Sequence, residues 1–150
     1  MPRYFSYGSN MDAAHLVSRC PGTVFLGAAS LRDYELSFTL FSQTRQCGCP
    51  DILKKPGATV WGALYTVTAA DLLLLDGYEG VAREKYRRLT VFVFDPSGTA
   101  VEAETYEVVH KAPDFQKPSK AFLAQLTTSA ARLAFPVSYQ NFLRATPTCD

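Results

Sequence analysis

The chain has 150 residues, of which 47% are hydrophobic and 19% charged; this is the make-up of one ordinary globular domain spanning 1–150, and it excludes wholesale disorder, collagen-like repeats and coiled coil. Lys and Arg number 15 against 14 Asp and Glu, a formal net charge of +1, which argues against nucleic acid or an anionic membrane as the main partner. No run of about 18 apolar residues is present, so no transmembrane helix is expected. The N-terminal stretch turns polar too early for a signal peptide. Cysteines at 20, 47, 49 and 149 fit neither a disulfide scaffold nor a common zinc spacing, so reduced thiols without metal, in a cytoplasmic protein, are expected.

In chain order, Arg3 to Tyr7 reads as a short buried strand ended by Gly8. Asn10 or Asp12 caps a helix over Ala13 to Arg19, with Leu16 and Val17 facing in and Pro21-Gly22 as the stop. Thr23 to Ala29 and Tyr34 to Phe41 are two further strands. Residues 42–58 hold Gly48, Pro50, Pro56 and Gly57 among polar residues and read as a long loop. Thr59 to Val67 is a strand. Thr68 to Asp71 has the form of a capping box, opening a short helix of four leucines that closes near Gly77.

Leu89 to Asp95 alternates with large apolar residues on both faces, which predicts a central strand. Asp95-Pro96-Ser97-Gly98 is a turn, and Thr99 to Val109 completes a hairpin. Ser119 caps a helix through about Leu133, with Phe122, Leu123 and Leu126 on one stripe. Pro136 opens a last helix carrying Tyr139, Phe142 and Leu143. The order predicts an α+β fold: a small mixed, mostly antiparallel β-barrel with short flanking helices.

Two segments carry residues suited to chemistry. In Tyr4-Phe5-Ser6-Tyr7-Gly8-Ser9-Asn10, a strand runs into a helix start. That arrangement presents free backbone N–H groups for an anion or oxyanion, or is a plain strand-to-helix turn. In Asp76-Gly77-Tyr78-Glu79-Gly80, a carboxylate at the mouth of an apolar pocket has its pKa raised and suits acid/base work; a solvated acid in a helix-terminal turn is the other reading. Asp76 is a second carboxylate there. A Ser9/His110 dyad is conceivable, although Gly8-Ser9-Asn10 is not a Gly-x-Ser-x-Gly elbow. Arg83, Lys85, Arg87 and Arg88 read as a solvated face.

Together these segments resemble the γ-glutamylcyclotransferase family. Tyr4 to Asn10 is similar to its Tyr-Phe-Ala-Tyr-Gly-Ser-Asn opening, with Ser6 for Ala. Leu75 to Val81 is similar to its Leu-Asp-x-x-Glu-Gly-Val segment, with Tyr86 seven residues after the Glu. Val60-Trp61-Gly62 and Phe135-Pro136-Val137-Ser138-Tyr139 match two more family segments in the same order. The resemblance implies a barrel with an open mouth. It implies a cyclotransferase that converts a γ-glutamyl amino acid, or a related γ-glutamyl amide, to 5-oxoproline by intramolecular aminolysis, within the γ-glutamyl cycle of glutathione metabolism.

Glu79 would be the catalytic acid/base. Tyr4, Phe5, Ser6, Tyr7, Gly8, Ser9, Asn10, Tyr86 and Phe122 would line the substrate site. No metal or organic cofactor is required, the partner is a small γ-glutamyl substrate, and a homodimer is allowed. One departure bears on substrate range. Pro118-Ser119-Lys120-Ala121-Phe122 ends in Phe where the vertebrate enzymes have Tyr, which predicts tolerance of apolar leaving amino acids. A same-fold protein acting on another γ-glutamyl conjugate (an amine, a carrier or an antibiotic), or a non-catalytic carboxylate binder, is the rival expectation.

Overall fold

Two strands of about twenty residues dominate the architecture. In the computed structural model, which describes residues 1–150, β2 runs Val24–Ser42 and β3 Cys47–Thr66. They pair antiparallel from Val24 against Thr66 to Ser42 against Cys47. The other strands are β1 (Arg3–Ser6), β4 (Tyr86–Phe94) and β5 (Ala100–Val108). The closed barrel has the order β1-β3-β2-β4-β5. Every pairing is antiparallel except the closing one, β1 with β5. The mixed, mostly antiparallel barrel read from the sequence is therefore the fold.

The long hairpin replaces two expected strands and most of an expected loop. Residues 42–58 are not a loop: only positions 43–46 turn, and the chain pairs again from Cys47. The glycines and prolines that suggested a loop are accommodated by bulges. Register shifts fall between Arg32 and Tyr34 and between Phe38 and Leu40, and bulges absorb prolines and positive φ within a ladder. Asp33 at φ 64° and Gly57 at φ 85° sit at the first of these, joined by the Gly57 N–H donating to Asp33 Oδ1 at 2.9 Å. Gly48 is demanded by close approach. Its N–H donates to the Lys117 carbonyl at 2.8 Å, and a Cβ there would lie 1.8 Å from the Gln116 carbonyl oxygen.

Buried Asp51 ties the hairpin to β5. It accepts from Thr39 Oγ1, the Val108 N–H and Lys111 Nζ at 2.7, 2.9 and 2.8 Å.

Four helices flank the barrel: α1 (Ala13–Arg19), α2 (Ala69–Tyr78), α3 (Lys120–Arg132) and α4 (Val137–Arg144). Their starts follow local chemistry. Asp12, rather than Asn10, caps α1 by accepting from the Ala14 N–H. Thr68 and Asp71 form both bonds of the capping box of α2, and Ser119 caps α3. Leu16, Leu75, Leu126 and Leu143 bring each helix into one core cluster shared with all five strands.

Three smaller expectations are corrected. Val17 faces out, as does Phe92, because α1 and β4 each cover the barrel with one face only. The strand expected from Leu89 begins at Tyr86, whereas α2 ends at Tyr78, close to the expected Gly77. No helix is long and apolar enough to cross a membrane.

Candidate active site

A cavity of about 410 Å³ opens at one side of the barrel. Tyr4 through Asn10, Glu79, Tyr86 and Phe122 all line it. All ten site residues singled out in the sequence are thus brought together, although they come from four separate stretches of chain.

The wall from β1 is fixed by buried hydroxyl groups. Tyr7 Oη donates to the Tyr106 carbonyl at 2.6 Å, and Thr105 Oγ1 donates to the Phe5 carbonyl at 2.8 Å. Asn10 Nδ2 donates to Tyr4 Oη at 3.1 Å, and Tyr65 Oη donates to the Asn10 carbonyl at 2.7 Å. Phe5 is wholly buried, so it holds the wall and offers no exposed ring. Its ring fits against Gly62, where a Cβ would lie 2.7 Å from the ring and 2.3 Å from the Ser6 carbonyl oxygen.

β1 ends at Ser6, and Ser9–Met11 form a 3₁₀ turn. The N–H groups of Tyr7 and Gly8, between them, donate to no backbone carbonyl. Gly8 has φ −117°, outside the left-handed region, and a Cβ there would meet only Pro50 Cγ at 3.6 Å. The turn itself therefore does not require glycine.

Glu79 closes α2. Its N–H donates to the Leu75 carbonyl at 2.9 Å, and Gly80 at φ 68° then swings the chain off the helix axis. The carboxyl group is half-buried and takes part in no salt bridge. Burial raises its pKa to about 7, with the Arg19 guanidinium pulling modestly the other way.

Asp76, three residues earlier, has a different fate. It accepts from Tyr106 Oη at 2.7 Å, pairs with Arg88 Nε at 3.3 Å, and does not line the cavity. Of the two carboxylates, the uncommitted one faces the cavity.

Four phenols surround Glu79 electrostatically. Burial, followed by neighbouring charges that include Glu79, holds Tyr4, Tyr7, Tyr86 and Tyr106 above the ordinary tyrosine value. They remain neutral donors. Tyr86 Oη is committed to the Pro50 carbonyl at 2.6 Å, which leaves its oxygen as an acceptor toward a ligand. Phe122, 8% exposed, stands edge-on to Phe38 and lies under the Arg45 guanidinium at 5.7 Å.

Sequence reasoning missed Arg19, Arg45, Cys49 and Pro50 as lining residues, and it placed Arg83 and Lys85 on a solvated face. No short motif marks them: Arg45, Cys49 and Pro50 reach the cavity through the long hairpin, Arg83 and Lys85 through the turn after α2, and Arg19 from the end of α1. The Ser9/His110 dyad is not formed. His110 is exposed, lies 4.0 Å from Glu84, and does not line the cavity. Cys47 and Cys49 are buried free thiols on β3 instead of loop residues. No group of three or more His, Cys, Asp or Glu side chains is arranged to hold a metal ion.

Comparison with known proteins places this arrangement among relatives. Residues 59–143 match the model of the AIG2-like family. The chain is 30% identical over 148 residues to human gamma-glutamylcyclotransferase, covering 95% of this chain and 77% of that protein. The bovine protein of the same name is 29% identical over 146 residues, with the same coverage. A solved structure titled gamma-glutamyl cyclotransferase superposes with a TM-score of 0.91 at 28% identity, covering 99% of this chain and 89% of that one.

Proposed function

The chain belongs to the AIG2-like family, and on that premise we propose that it is a cytoplasmic γ-glutamylcyclotransferase that releases 5-oxoproline from γ-glutamyl amino acids. The observation that carries this reading is the shared cavity. A half-buried carboxyl group with a pKa of about 7 and two unengaged backbone N–H groups line the same hollow.

The reaction asks for both. The α-nitrogen of the glutamyl group attacks its own γ-carbonyl carbon. A C–N bond closes the five-membered ring, and the scissile C–N bond breaks. The α-ammonium loses two protons in all, and the leaving nitrogen, an amide N–H, departs as an ammonium with two more. No water, metal or redox partner enters the balance. Glu79 takes a proton from the α-ammonium and returns one to the leaving nitrogen. An α-amine titrates near about 8, so transfer to a group near 7 is almost level in energy. Positioned proton transfer of this kind is worth roughly 10² to 10⁴ in rate.

The N–H groups of Tyr7 and Gly8 serve the developing oxyanion or the glutamyl carboxylate, where one donor is commonly worth about 10² to 10³. Folding the substrate into an attack geometry supplies on the order of 7–11 kcal/mol, because nucleophile and electrophile share one molecule. Ser9 acts through its backbone, not as a nucleophile. Such an enzyme consumes the γ-glutamyl amino acids of glutathione metabolism, and its class is an amine-eliminating acyl transfer.

The test compares γ-glutamyl-alanine, its N-acetyl derivative and α-glutamyl-alanine, following 5-oxoproline. Only the first is expected to react. Cleavage of the N-acetyl compound at a similar rate would mean that water or a protein group attacks, as would labelling of Ser9 by a fluorophosphonate with matching loss of activity.

A further inference from the structure

The cyclisation leaves the outer half of the cavity unexplained. Four cations line the cavity as a whole, Arg19, Arg45, Arg83 and Lys85, against a single acidic residue, Glu79. None of the four has a carboxylate within 4.0 Å. Their neighbours outside the cavity are paired: Arg87 with Glu107, Arg88 with Asp76 and Lys111 with Asp51. Unpaired cations gathered on one cavity wall, where acids have been used up elsewhere, are the electrostatic complement of an anionic ligand.

Arg19 stands apart from Arg45 and Lys85. Arg19 lies 4.4 Å over the Tyr78 ring and acts on the adjacent Glu79, so it belongs to the reacting end. Arg45 borders Cys49 instead, and Lys85 lines the same cavity. Arg45 Nη2 lies 3.3 Å from Cys49 Sγ, and both cations oppose the upward push that burial gives that thiol. Arg45 is held ready by the hairpin turn, where its N–H donates to Ser42 Oγ at 3.1 Å and the Gln46 N–H donates to the Ser42 carbonyl at 2.7 Å. Phe122 is the platform beneath its guanidinium. The ring that stands where the vertebrate enzymes have Tyr is thus buried and lies beneath a cation.

We propose that Arg45 and Lys85 form the leaving-group subsite and select γ-glutamyl conjugates of acidic amino acids, whose leaving fragment brings two carboxylates. This rests on the cyclotransferase reading above. One carboxylate is common to every γ-glutamyl amino acid and needs one cation. A second cation lining the same cavity, with no carboxylate within 4.0 Å, is matched by a second carboxylate on the leaving side chain.

The experiment measures kcat/KM from 5-oxoproline release for γ-glutamyl-glutamate, its neutral isostere γ-glutamyl-glutamine and γ-glutamyl-alanine. Glutamate should exceed glutamine by about tenfold at low salt, and the ratio should shrink toward about twofold at about 0.5 M NaCl, because exposed charges are screened. Arg45→Gln, on an exposed turn, should bring the ratio to about twofold, and Arg45→Lys should keep most of it. Equal rates for the glutamate and glutamine substrates, with alanine still cleaved, would overturn the subsite and leave the cyclotransferase standing. A ratio unmoved by both Arg45→Gln and Lys85→Gln would also overturn the assignment. Absence of 5-oxoproline from all three would overturn the cyclotransferase reading and the subsite with it.

Discussion

On the cavity wall formed by β1, the aromatic side chains are buried and the hydroxyl groups engaged: Tyr7 with the Tyr106 carbonyl, Thr105 with the Phe5 carbonyl, Tyr65 with the Asn10 carbonyl. On the facing rim, Arg45, Arg83 and Lys85 are exposed and without acidic partners. On the β1 wall, Tyr7 and its neighbours cannot move without breaking a buried hydrogen bond, at about 1–3 kcal/mol for each polar group left unpaired. The rim is made of long, exposed chains that act through charge. Bond making needs atoms placed to within a fraction of an ångström, whereas choosing between a charged and a neutral fragment does not. The division of the cavity follows that difference in tolerance.

The sharpest way to break the comparison is at Glu79, the one carboxyl group lining the cavity. Glu79→Gln keeps the size and the hydrogen bonding but removes proton transfer. Turnover of γ-glutamyl-alanine should fall by at least about 10² with the far-ultraviolet circular dichroism unchanged. Near wild-type turnover would remove the carboxylate from the mechanism.

The rigidity of the β1 wall can be tested without touching the chemistry. Gly62 lies where a Cβ would come 2.3 Å from the Ser6 carbonyl oxygen and 2.7 Å from the Phe5 ring. The obstacle includes backbone, so it cannot swing aside as a flexible side chain would. Gly62→Ala should cost about 3 kcal/mol, the upper part of the range for overpacking, read as a lower urea midpoint. An unchanged midpoint would mean that the wall yields, and the contrast with the rim would lose its basis.

The same division explains what the sequence made legible. β1, its turn, the helix caps at Asp12, Thr68 and Ser119, and the 86–108 hairpin depend on neighbours a few residues away, so local pattern announced them. The hairpin over 24–66 does not. Its Pro50 and Pro56 sit in a ladder tolerated by bulges, Gly48 answers to Gln116, and Asp51 answers to Thr39, Val108 and Lys111. None of those partners is local, so loop chemistry was the natural reading. Arg45 was lost with it. The distinction between Asp76 and Glu79 was hidden for the same reason, because Tyr106 and Arg88 claim only the first.

The last test sets the catalytic group against the wall that holds it. Burial raises the Glu79 pKa from 4.5 to about 7. Between those values the folded chain keeps a proton that the unfolded chain has released. Folding stability therefore falls as pH rises through this window, and the full penalty is present above about pH 7. At 1.36 kcal/mol per pKa unit, reduced for the half-exposed position, the penalty is on the order of 1–2 kcal/mol. Glu79→Gln cannot ionise and escapes it. The variant that loses activity should be the more stable protein at pH 8, and the difference should vanish near pH 4.5. Urea midpoints for both proteins at the two pH values measure it. A variant less stable at pH 8, or an equal difference at both, would show that the wall does not resist the charge. The raised pKa that makes Glu79 a fit partner for the α-amine would then need another origin.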